Sequence, residues 1–143
     1  MTAFYTAQQA IISRLATQWA AIPRTEPIFL ENEDRSEAVS TTTGFLVAEV
    51  IFSDATQVSI GAGNGANLFR HTGTIFVHIV CPAGAGAKEA LDRADLVAGI
   101  FRNQQFGGVT CRAPSIGKSR PDAVEGNWFM VTVSCGFYYD ANF

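Results

Sequence analysis

Apolar and polar positions along the chain change period several times, and each change marks an element. From residue 2 to 21 the apolar positions Phe4, Ile11, Leu15 and Trp19, with Ile12 beside them, fall on one helical face. Gln9, Ser13 and Thr17 fall away from it. Thr6 and Gln9 are spaced as a capping box, although Thr2 could open the helix earlier, and Pro23 closes it. Pro27 to Leu30 reads as extended. Glu31 to Ser40 has no apolar period and reads as a polar loop. Gly44 to Phe52 has the pattern of a strand apolar on both faces. Ser53 to Thr56 reads as a turn, and Gln57 to Ile60 as a second short strand completing a hairpin.

Leu68 to Cys81 reads as one or two strands, with Gly73 a bulge or bend. Ile75, Val77, Ile79 and Cys81 share one face, while Phe76, His78 and Val80 share the other. The period returns to helical between Ala87 and Arg102, where Ala90, Ala94, Val97 and Phe101 make a stripe edged by Leu91 and Ala98. Glu89 and Asp92 lie near its positive end and Arg102 near its negative end. Asn103 to Gly108 is a break, Val109 to Arg112 a short strand, and Ala113 to Gly126 a long loop. Asn127 to Tyr139 is the last strand, with Phe129, Val131, Val133, Cys135 and Phe137 on one face. The expected fold is α+β: one domain over 1–143, with a mostly antiparallel sheet and two packed helices.

Composition narrows the function. Of 143 residues, 48% are hydrophobic and 16% charged, which excludes a mainly disordered chain. Net charge is −3, so there is no basic excess for sequence-independent DNA binding. No positive stretch precedes an apolar run at the N-terminus, and Glu49 interrupts the most apolar segment. A cytoplasmic protein with no membrane partner is expected. Cys81, Cys111 and Cys135 are odd in number and lack metal-ligand spacing, so they read as buried reduced thiols.

Two glycine-rich segments invite a cofactor reading. Gly61 to Ala66 mimics a dinucleotide loop, but the sequence after it looks extended where that motif needs a helix. Gly84 to Lys88 joins a strand to a helix, but Ala87 separates Gly86 from Lys88, and Glu89 stands where a phosphate loop needs Ser or Thr. His71 and His78 lie on opposite strand faces. The sequence therefore predicts no enzyme, no cofactor and no metal. Gly61, Gly63, Asn64 and Gly65 read as a projecting contact loop instead.

Charge is unevenly spread. Residues 25–40 hold Glu26, Glu31, Glu33, Asp34 and Glu37 against Arg35 alone. Residues 96–121 hold Arg102, Arg112, Lys118 and Arg120 and no acid. Either these are two solvated loops, or Glu31, Glu33, Asp34 and Glu37 of one subunit meet Arg112, Lys118 and Arg120 of the next. The second arrangement is head-to-tail and closes as a ring when the rotation allows.

The order of segments resembles the bacteriophage tail terminator family. The resemblance is carried by Ile11 to Trp19, Pro27 to Asn32, Gly44 to Phe52, Thr72 to Pro82, the helix Leu91 to Phe101, and Gly126 to Phe137. It implies a virion protein of the tail–neck region, made in the host cytoplasm and assembled as a homo-oligomeric, hexameric ring. Its implied partners are the major tail tube protein and a head-side connector or stopper protein. DNA would pass through the lumen without being read. A head–tail joining or tail-completion protein of a neighbouring layer, and a small ligand-binding or enzymatic domain, are the alternatives.

Overall fold

The computed structural model describes residues 3–22, 26–30, 44–82, 87–118 and 128–143. Helix α1 spans Ala3–Ala21 and helix α2 Lys88–Phe101. The strands are β1 (Ile28–Leu30), β2 (Phe45–Gln57), β3 (Leu68–Pro82), β4 (Gln105–Phe106), β5 (Val109–Lys118) and β6 (Trp128–Asn142). They form one six-stranded sheet in the order β1-β2-β3-β6-β5-β4. Only β1 and β2 run parallel. The expected α+β fold, mostly antiparallel with two helices, is what the chain adopts.

Period-two alternation puts one side of every long strand into the core. Leu46, Ala48 and Val50 of β2 align with Ile79, Val77 and Ile75 of β3, and these with Val131, Val133 and Cys135 of β6. All nine are buried. Ala7, Ile11, Leu15 and Trp19 of α1, with Ala90, Ala94, Val97 and Phe101 of α2, close over them in one cluster. Burying each large apolar side chain there contributes about 1.5–3 kcal/mol. Phe4 departs from the expected stripe: it is 48% exposed, near the helix start, with its ring edge against Phe52 and His71. Because α1 is already helical at Thr6, the Thr6–Gln9 pair does not cap it.

Strand expectations need correction in three places. Ser53 to Thr56 is not a turn and Gln57 to Ile60 is not a second strand: β2 runs through to Gln57, and the reversal lies beyond, between Val58 and Asn67, before β3. Asp54 and Ser53 suggest a turn by composition, but the register shift between Phe52 and Asp54 absorbs them as a bulge. Ala113 to Lys118 is not a loop: β5 continues to Lys118 past a second register shift, between Cys111 and Pro114. Pro114 obscured that strand, and an edge position is where proline is tolerated. Gly73 is not itself bulged, since it pairs with Phe52 and Phe137 in an unbroken β3. A Cβ on Gly73 would stand 2.5 Å from the Ile51 carbonyl and 2.7 Å from the Phe137 ring, so the position needs glycine for close approach. Phe52, Gly73, Phe137 and Cys111 occupy one transverse row, with a bulge at each end of it. Because a bulge bends its strand and increases its twist, this row is where a crease in the sheet is expected.

Candidate interaction surfaces

Glu31, Glu33, Asp34, Glu37 and Arg120 lie outside the described residues. Lys118 ends β5. Arg112 is exposed at the β5 bulge, with its guanidinium 5.5 Å from the Tyr138 ring centre. Arg70 lies over the same ring at 4.3 Å and holds Asp140 through two hydrogen bonds of 2.9 and 3.0 Å. The Arg70 hydrogen bond keeps the Asp140 carboxyl below the ordinary carboxylate range. Both arginines are therefore gathered on Tyr138, a grouping that strand alternation alone could not reveal.

Gly61, Gly63, Asn64 and Gly65 are exposed in the β2–β3 connection. Gly61, Gly63 and Gly65 have φ values of 91°, 88° and 87° with open space around them. Asn67 braces the loop: its amide donates to the Gly63 carbonyl at 2.9 Å, and its side-chain oxygen accepts from Ala62 N–H at 3.2 Å. The loop is followed by β3 rather than a helix, so no helix N-terminus faces it to receive a pyrophosphate. Ile60, at its base, is 85% exposed.

The face of the sheet opposite the helices carries Phe45, Val47, Glu49 and Ile51, then Phe76 and His78, then Thr132 and Ser134. His78 Nδ1 is 2.8 Å from Thr132 Oγ1, and its Nε2 is 3.5 Å from Glu49. Ser115 and Ser134 hydroxyls bond at 2.8 Å. Thr132, His78 and Glu49 resemble a nucleophile relay, but β3 is paired along its length on both sides. Its backbone N–H groups are committed to ladders and do not converge on an oxyanion. These pairs satisfy polar groups across strands.

Arg93 lies outside the apolar stripe read from the sequence, yet it is buried. It is only 2% exposed. Its Nη2 is 3.0 Å from Glu26 and 2.5 Å from Glu89, and its Nη1 donates to Cys81 Sγ at 3.3 Å. Trp19 Nε1 donates to the Glu26 carbonyl at 3.3 Å, which brings α1 into the same cluster. A Cβ on Gly44 would collide with the Val80 carbonyl and stand 3.2 Å from Arg93 Nη1. The cluster fastens α2 to the segments entering β1 and β2. It is an anchor for structure, since its charges are already opposed.

All three cysteines are buried and unbridged. Burial pushes the Cys81 thiol above its ordinary range, and the hydrogen bond that the Cys111 thiol donates to Cys135, with burial, does the same to Cys111. Among the described residues no group of three or more potential ligands could hold a metal. No described helix is long and apolar enough to cross a membrane. A cleft of about 100 Å³ between α1 and the β4–β5 turn, lined by Thr6, Gly107, Gly108 and Tyr139 among others, falls below the roughly 300 Å³ of small-ligand sites.

A sheet packed by two helices on one side, with polar and aromatic side chains grouped on the other and an exposed loop between β2 and β3, defines a small α+β protein. The sequence profile described as phage tail terminator protein matches residues 6–137. The chain belongs to the phage tail terminator family and is thus a structural protein of a bacteriophage tail. Twenty-eight solved chains match it. One of them, 22% identical, aligns over 100% of this chain and 98% of its own length with a TM-score of 0.67, which shows a shared fold. No curated protein matches.

Proposed function

We propose that the protein forms a ring on the end of the tail tube, stops tube polymerisation, and presents a surface to the head-side connector or stopper. The observation that carries this reading is the family match across residues 6–137, nearly the whole chain. The exposed Gly61–Gly65 loop, with Ile60 at its base, supports it as a contact element that orders against a neighbour. The ring is a homo-oligomer, a hexamer by analogy with the family's expected architecture, and DNA passes through it unread. Net charge of −3 agrees with passage rather than retention.

Assembly of tails without this protein tests the reading. Tails of uncontrolled length, or tails that fail to join heads, are expected. Normal-length tails that join heads would refute a terminator role and favour an accessory function. Normal length with failed joining would place the protein at a neighbouring joining layer.

A further inference from the structure

The two ends of the sheet are unequal and complementary. On one side β1 pairs only with Leu46, Val47 and Ala48 of β2. Beyond them, Ile51 to Gln57 is paired with β3 on its inner side, and no described strand lies on its outer side. On the other side β4 pairs only with Val109 and Thr110 of β5. Arg112 to Lys118 then has β6 inside and no described strand outside. Ile51, Asp54 and Thr56 are exposed, as are Arg112, Ser115 and Ile116.

Each outer segment carries backbone groups that could template strand addition, although Ala55 N–H already donates to Asp54 Oδ1 at 2.8 Å and Pro114 has no N–H. Their charges are opposite. Asp54 is the one ionisable residue of Ile51–Gln57, while Arg112 and Lys118 are those of Arg112–Lys118. Each also exposes a large apolar side chain, Ile51 on one and Ile116 on the other. β2 runs antiparallel to β3, β3 to β6 and β6 to β5, so β5 is antiparallel to β2. A copy laid beside the first with its sheet continuing would therefore join β5 to β2 as an antiparallel pair. Asp54 shares the helix-free face with Ile51, and Arg112 reaches the same face beside Tyr138.

We propose that successive copies of this chain join by strand addition, the Ile51–Gln57 edge of one accepting the Arg112–Lys118 edge of the next, with Asp54 and Arg112 on the same, helix-free face of the joined sheet. This rests on the ring reading and specifies its interface. The open parts of the two edges are staggered: Lys118 lies in the sheet row of Leu46, and Pro114 in that of Val50, whereas the β2 edge extends to Gln57. A sheet that closes on itself requires such a stagger. The contact is heterologous, so it propagates around a ring instead of ending at a dimer.

Sedimentation velocity over a concentration series tests the interface on the whole protein. Asp54→Arg alone, and Arg112→Asp alone, should each raise the dissociation constant for self-association about tenfold, by placing like charges on the same face of the joined edge. Combining the two substitutions should restore it. In hydrogen exchange on the unaltered protein, amides within Ile51–Gln57 and Ser115–Lys118 should slow on assembly. This second measurement holds even if a variant folds poorly. Oligomers that resist every reversal, with both edges exchanging freely, would overturn the strand-addition interface and leave the ring standing. A protein that stays monomeric at every concentration and in the presence of tube ends would overturn the ring and this interface together.

Discussion

At the scale of single residues, the most consequential positions are Arg93, Gly73 and Asp140. Arg93→Leu removes the guanidinium that stands 3.0 Å from the buried Glu26 carboxylate. Removing one partner of a buried pair costs about 3–5 kcal/mol, and urea unfolding should show a loss of that order. Gly73→Ala forces a methyl against the Ile51 carbonyl and the Phe137 ring. A loss of about 1–3 kcal/mol by the same measurement is expected. The depressed Asp140 carboxyl makes stability depend on pH. Its contribution is present above the unfolded value of about 3.9 and is lost as pH falls through the lower folded value. Asp140→Asn should therefore be less stable than the parent at neutral pH and match it at strongly acidic pH, as urea midpoints across that range would show. Arg93 was not legible in the sequence because it occupies a helical position beside Ala94 that charge alone assigns to solvent. Its burial depends on Glu26, far away in the chain. Gly73 was legible as special, but the reason was not, since Phe137 reaches it across a strand pair 64 residues distant by numbering.

At the scale of elements, long apolar alternation was readable and local interruptions misled. Both helices, β3 and β6 were recovered from period, and β1 lies in the segment read as extended, but the two-residue β4 was missed inside the expected break from Asn103 to Gly108. β2 and β5 were cut short at Ser53 and Ala113, where turn-forming composition coincides with a bulge. A bulge satisfies such residues without ending the strand, and only the partner strand reveals which has happened. The loop between β2 and β3 carries a separate prediction. Deleting Ala62 to Gly65 removes residues that are exposed and make no core contact. Thermal unfolding should shift by only a few degrees, as for a surface change within about 0.5 kcal/mol. Binding to purified tube ends, read by pelleting or electron microscopy, should nonetheless weaken. A variant that unfolds at room temperature would show that the loop serves the fold instead.

At the scale of the whole molecule, the fold and the family could both be read from segment order, because they rest on apolar period and spacing. The candidate contact surfaces were less accessible. The sequence drew attention to charge in the 25–40 and 96–121 segments, yet the structure also gathers Arg70, Tyr138 and Arg112 from three strands, and exposes a β2 edge carrying Asp54. Added salt should weaken self-association, since exposed opposite charges are screened within about 8–10 Å at physiological ionic strength. Light scattering across a salt series checks this, and an association that strengthens steadily with salt would point to a purely apolar interface.

The row of Phe52, Gly73, Phe137 and Cys111 has a consequence for how the chain reaches this fold. A long antiparallel strand can pair two residues out of step and still turn its apolar side inward. Hydrophobicity scarcely distinguishes such a mispaired sheet from the native one. Here, a two-residue displacement of β3 would bring His71 or Ile75 to the place that admits only hydrogen, between the Ile51 carbonyl and the Phe137 ring. The bulges at either end of the row would also lose their matching partners. Out-of-step sheets are thus penalised by collision where burial would tolerate them, and one glycine selects among pairings that the apolar pattern leaves nearly equivalent.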